Sequence, residues 1–128
     1  MSNINTNKRA LILFAHGSRQ SGWREPFERV AQRLEQQNID AQVELAFLEF
    51  MHPTLSESLE NVITQGIHHI TIVPMFFGVG NHVARDLDEL IQAVKQKHPY
   101  IQLSVAPAVG QSDNVIQAMA SYAASFTR

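Results

Sequence analysis

Four apolar runs of strand length alternate with four stretches of helical periodicity, and this alternation constrains the chain more than any other feature. The runs cover 10–15 (ALILFA), 42–48 (QVELAFL), 70–77 (ITIVPMFF) and 101–106 (IQLSVA). A strand that is apolar on successive residues is covered on both faces, as in a parallel sheet. Between and after the runs, apolar residues recur every three or four positions. The stripes are Trp23, Phe27, Val30, Ala31 and Leu34; Leu55, Leu59, Val62 and Ile63; Val83, Leu87, Leu90, Ile91 and Val94; and Val115, Met119, Tyr122 and Phe126. Each predicts an amphipathic helix that lays one face on the sheet. A βα unit repeated four times implies an α/β fold with a four-stranded parallel sheet, right-handed crossovers and helices on both faces.

Local signals agree with these boundaries. Thr54-Leu-Ser-Glu57 reads as a capping box. Gly66 stands where the second helix should stop, and Pro99 after His98 should end the third. Ser112 or Asp113 is placed to cap the fourth. Pro74 lies inside the third run and removes a ladder hydrogen bond, so a bulge or an early strand end is expected there. The 128 residues suit one domain. Residues 1–9 read as a disordered polar tail, without the apolar core of a signal peptide, and 10–128 as a single domain.

Composition excludes whole classes of chemistry. The chain has no cysteine, which removes disulfides, thiolate zinc sites, iron–sulfur clusters and cysteine nucleophiles, and fits a reducing, cytoplasmic setting. A formal net charge of −2 argues against a nucleic-acid partner. The apolar runs are far too short to span a bilayer.

Ligands of open α/β sheets bind beyond the carboxyl ends of the strands. There the sequence places His16-Gly-Ser-Arg19 after the first run, Leu48-Glu49-Phe50 at the end of the second, and Gly78-Val-Gly-Asn-His82 after the third. Two histidines and a carboxylate thus fall on one edge. Imidazole and carboxylate together suit a first-row divalent ion such as cobalt, iron, nickel or zinc, and three ligands leave positions open for exchange. Gly17, Gly78 and Gly80 are expected to permit tight turns beside a large ligand. His52 also follows the second run, where it either lines the cleft or leads into a helix. His68 and His69 precede the third run, at the opposite edge, and His98 ends a helix, so all three read as structural. Phe76 and Phe77 either pack in the core or face a flat ligand. No Walker lysine, Gly-x-Gly-x-x-Gly or Gly-x-Ser-x-Gly motif is present, which leaves no nucleotide site and no hydrolase elbow.

The segments LFAHGSR (13–19), AFLE (46–49) followed by Pro53, VPMFF (73–77) and GNHVARD (80–86) resemble the small class II chelatases, the sirohydrochlorin chelatases of cobalamin and sirohaem synthesis. The resemblance runs from about Ala10 to Gly110. It implies a flavodoxin-like, chelatase-like domain that inserts a divalent metal into sirohydrochlorin without ATP, with cobalt favoured over iron and nickel also compatible. By the same resemblance His16 and His82 bind the metal and accept pyrrole protons, and Glu49 completes the ligand set. Ser18, Arg19, Asn81 and Arg85 are then candidates to hold the tetrapyrrole carboxylates, and a homodimer is expected to enclose the macrocycle. The usual Gly-Gly before the second histidine reads Gly80-Asn81 here. Two other readings stay open: a non-catalytic carrier of metal or tetrapyrrole, and a flavodoxin-like regulatory or interaction domain.

Overall fold

The structure is a computed structural model that describes residues 8–127. Most of the tail expected over 1–9 therefore lies outside the described residues, although its last residue, Arg9, already belongs to a strand. The strands are β1 (Arg9–Ala15), β2 (Gln42–Phe47), β3 (His69–Pro74) and β4 (Gln102–Val105). All pairings are parallel, in the order β2-β1-β3-β4. Because β1 is central, Leu13 lies between Leu45 on one side and Val73 on the other. That position accounts for its unbroken apolar run.

The helices are α1 (Glu25–Gln36), α2 (Leu55–Thr64), α3 (Asn81–Lys97) and α4 (Asp113–Ala124), with a 3-10 turn at Val109–Gln111. The crossover from β1 to β2 runs opposite to those from β2 to β3 and β3 to β4. Right-handed crossovers therefore put α1 on one face and α2 with α3 on the other. Alternation along the strands feeds both layers. Ala10, Ile12, Phe14, Ala46, Ile70, Ile72 and Leu103 join Leu59 and Val62 of α2 and Leu87, Ile91 and Val94 of α3 in one buried core. Leu13, Ala15 and Phe47 point the other way; Phe47 meets Trp23 with ring centroids 6.4 Å apart.

The boundaries are set by local chemistry. At α2 the Thr54 hydroxyl accepts from the Glu57 N–H at 3.2 Å while the Thr54 N–H donates to the Glu57 carboxylate at 2.8 Å, completing the capping box. Gly66, at φ 86°, follows the end of α2 in the left-handed conformation that suits glycine. α3 ends at Lys97, with His98 as its cap and Pro99 beyond.

At Pro74 the early end, one of the two outcomes expected there, is the one found: β3 stops at the proline. Other expectations need correction. β2 stops at Phe47, leaving Leu48, Glu49 and Phe50 in a bend. Trp23 precedes α1 and stacks on Phe27 from a turn. Ser112 occupies the cap position of α4, yet its side chain makes no capping bond. The largest departure is α4 itself. Its stripe does not lie on the sheet, none of its residues is buried, and its main packing partner is the 3-10 turn.

Candidate functional site

The carboxyl edge is built from backbone before any side chain enters. Beyond the strands the ladder continues: the Leu48 N–H donates to the Ala15 carbonyl at 2.9 Å, and the Glu49 N–H to the His16 carbonyl at 3.0 Å. On the other side of β1, the Met75 N–H donates to the Phe14 carbonyl at 2.8 Å. His16 and Glu49 are thus neighbours through their main chains. Gly17 makes this approach possible. It sits at φ 90°, and a Cβ there would fall 1.9 Å from the Glu49 carbonyl oxygen. Gly78 and Gly80, by contrast, face open space and have no positive φ, so only at Gly17 does the chain's own packing require glycine.

The His16 ring is solvent-exposed on one side and rests on Phe76 on the other, centroids 4.5 Å apart. Phe76 in turn packs against Phe14 at 5.4 Å. The imidazole is therefore seated on an aromatic pair that ties the ends of β1 and β3 together. Phe76 is buried, as the core reading had it, whereas Phe77 is 71% exposed.

His82 reaches the same edge by another route. It is the second residue of α3, which starts at the carboxyl edge because it must run back antiparallel to the strands. Gly80 caps α3 without a side-chain hydrogen bond, and the first turn carries no acidic residue. The unsatisfied N–H groups of that turn are open to an anion. Asn81 and Arg85 are exposed on the same turn. Ser18 and Arg19 follow Gly17; the Ser18 hydroxyl accepts from the Gln20 N–H at 3.0 Å.

His16, Glu49 and His82 are presented as separate exposed side chains. Among the described residues, no three His, Asp or Glu side chains converge closely enough to hold an ion. Between α2 and α3, next to this edge, lies an apolar cleft of about 210 Å³ lined by Phe14, Phe47, Leu55, Val83, Asp86 and Leu87 among others.

Two features escaped the sequence. Phe50 adopts φ 68°, unusual for a bulky residue, and stays 55% exposed with the Arg19 guanidinium 4.6 Å above its ring. Nothing in the residue type announces that conformation. Asp86 borders the cleft, and its place in the GNHVARD segment was the available signal. His52 is turned to structure: its Nδ1 lies 2.8 Å from the Glu57 carboxylate and buttresses the capping box. That hydrogen bond, with the Thr54 N–H second, holds the Glu57 carboxyl below the usual range. His68 and His69 sit at the opposite edge, where the His68 carbonyl accepts from the Gln102 N–H at 2.7 Å. His98 contacts Tyr100 and Glu60.

Comparison with known proteins decides the family. The CbiX family model matches residues 10–125. The chain belongs to the CbiX family. Within it, the sirohydrochlorin cobaltochelatase of Methanococcus aeolicus is 36% identical over 86 residues, which cover 67% of this chain and 60% of that protein. The chain thus spans about 60% of the length of that relative. The sirohydrochlorin cobaltochelatase of Saccharolobus islandicus is 33% identical over 112 residues, 82% of this chain and 85% of its own. Among solved structures, the sirohydrochlorin chelatase SirB of Bacillus subtilis in complex with cobalt superposes with a TM-score of 0.78 at 25% identity. It covers 94% of this chain, but only 52% of SirB is matched. CbiX membership and these neighbours agree with the four-stranded parallel α/β architecture.

Proposed function

We propose that this CbiX chain inserts a divalent metal ion into sirohydrochlorin without ATP, with cobalt as first choice and iron next. The observation that carries the reading is the joining of His16 to Glu49, main chain to main chain, on the edge where His82 opens α3. A relative named for cobalt and a structural neighbour in complex with cobalt support the choice of metal.

Insertion of M²⁺ releases two pyrrole N–H protons. Neutral imidazoles are both ligands and bases, so His16 and His82 hold the ion at the macrocycle face; as the metal transfers, one freed imidazole takes one proton and the second proton passes to solvent water. Glu49 offsets the charge of the ion. The macrocycle carries carboxylates, for which Ser18, Arg19, Asn81, Arg85 and the open first turn of α3 supply donors. The three side chains do not form a closed ligand set before the metal arrives, so binding the ion must draw them together.

The apolar cleft beside the edge contains none of the proposed metal or carboxylate ligands, and His16, Glu49 and His82 are exposed, so one copy alone does not enclose a macrocycle there. A homodimer that closes over the tetrapyrrole supplies the missing wall. A reducing compartment such as the cytoplasm suits the cysteine-free composition.

The test is an absorbance assay of sirohydrochlorin with Co²⁺, Fe²⁺ or Ni²⁺ and catalytic amounts of protein, comparing wild type with His16→Ala and His82→Ala. Multiple turnovers lost in both variants are expected. If wild type does not accelerate the spontaneous reaction, insertion is refuted and a carrier of metal or tetrapyrrole takes its place.

A further inference from the structure

Two guanidinium groups in this chain lie over phenylalanine rings, and they differ in what remains of their hydrogen-bonding capacity. Arg24 lies over Phe47, its guanidinium carbon 4.7 Å from the ring centroid. That group is engaged: it is ion-paired with Glu28 at 3.3 Å and donates to the His52 carbonyl at 3.2 Å. Arg19 lies over Phe50 at 4.6 Å and is exposed. Among the described residues it makes no ion pair and no side-chain hydrogen bond. Its five N–H donors are left to solvent.

The free pair is held from both sides. Phe50 sits at φ 68°, an uncommon region for a bulky side chain, and its ring stays 55% exposed. An apolar ring kept in water on a left-handed backbone gains little from core packing, and backbone outliers of this kind collect at ligand sites. Arg19 hangs from a loop that the Ser18 hydroxyl ties down by accepting from the Gln20 N–H at 3.0 Å. Both loops leave one junction, where the Glu49 N–H donates to the His16 carbonyl. Arg19 follows His16 by three residues and Phe50 follows Glu49 by one. The stacked pair therefore stands beside two of the three proposed metal ligands.

We infer that Phe50 is a positioning residue that holds Arg19 as a preset receptor for a carboxylate at the rim of the macrocycle. A guanidinium has a face and an edge. The face binds an aromatic ring, and the edge carries the N–H fork that matches a carboxylate in two parallel hydrogen bonds. Stacking occupies the face and leaves the fork free. It also removes in advance part of the rotamer freedom that a long side chain loses when it grips an anion. A macrocycle seated at His16 carries its carboxylates at its periphery, and Arg19 stands to one side of His16 to meet one. A ring without a carboxylate at that place forgoes both bonds, so the pair selects for polycarboxylate macrocycles.

The inference rests on the preceding reading of a tetrapyrrole as substrate. The test is a titration of the full chain with sirohydrochlorin in the absence of metal, followed by absorbance. Arg19→Ala is expected to weaken binding roughly tenfold or more. Phe50→Ala is expected to weaken it about three- to fivefold, and Phe50→Tyr, which keeps the stack, to bind as wild type does. Because Phe50 acts through Arg19, Phe50→Ala should add nothing in an Arg19→Ala chain. Both side chains are exposed, so the circular dichroism of every variant should match wild type. In turnover with cobalt, Phe50→Ala should raise KM and leave kcat nearly unchanged. A wild type that does not bind the macrocycle, a Phe50→Ala chain that binds as tightly as wild type, or an equal loss in the Arg19→Ala background overturns the inference. Failure of the insertion reading looks different: the macrocycle binds through this pair, with the losses above, and metal is not inserted.

Discussion

Replacing Gly17 with alanine tests the construction of the site most directly. At φ 90° an alanine backbone costs about 1–2 kcal/mol relative to glycine. The new Cβ would also fall 1.9 Å from the Glu49 carbonyl oxygen and 3.0 Å from its carbon. No rotamer relieves this, because Cβ is fixed to the main chain. One of the two loops must retreat, and the bond from the Glu49 N–H to the His16 carbonyl then breaks, at about 1 kcal/mol. The total, about 2–3 kcal/mol, lowers the melting temperature by roughly 6–15 °C for a chain of this size. It also parts His16 from Glu49, so cobalt uptake measured by titration falls together with stability. Gly22→Ala is the control, since nothing lies within 4 Å of its Cβ. Thermal melts followed by circular dichroism read the difference. A Gly17→Ala chain that melts within about 2 °C of wild type and binds cobalt equally well refutes the argument.

Other predictions follow from the same geometry. Gly110→Ala, whose Cβ would fall 2.3 Å from the Phe77 Cα, should unseat the 3-10 turn, seen as a lower melting temperature by circular dichroism. Leu59→Ala, at a fully buried position, should cost about 2–5 kcal/mol in urea unfolding. Thr54→Ala should cost about 1 kcal/mol by loss of the α2 cap. The folded-state pKa of Glu57 is depressed, so its contribution is present above the ordinary carboxylate pKa and fades as pH falls through the folded value. Glu57→Gln should therefore flatten part of the acid limb of a stability-versus-pH curve.

The strands, three of the helix seats and the functional edge were legible because each is written in a local pattern. β1 reads as central because both its faces are apolar, and α2 announces itself by Thr54 and Glu57. The α4 stripe has the same periodicity as the others, and periodicity does not say whether the chain's own sheet lies beneath it. Its near absence of charge sets it apart from α1. At the site, His16, Glu49 and His82 could be assigned to one edge by strand order alone. The close approach at Gly17 depends on a contact between loops thirty residues apart, and the φ of Phe50 is imposed from outside the residue. Such long-range terms leave no trace in composition or spacing.

The central position of the first strand has a consequence for the protein as it is being made. β1 leaves the ribosome before either of its neighbours exists, with an apolar side chain at almost every position. Its partner on one side begins at Gln42, and the other, opposite Arg9, at His69. At ordinary elongation rates of about 5–20 residues per second, the roughly sixty residues up to β3 take roughly 3–12 s to synthesise. For that interval the stickiest segment of the chain lacks the strand that completes its shelter. Chaperone capture and early aggregation should therefore act first on residues 10–15, and expression should respond more to added charge there than anywhere else in the sequence.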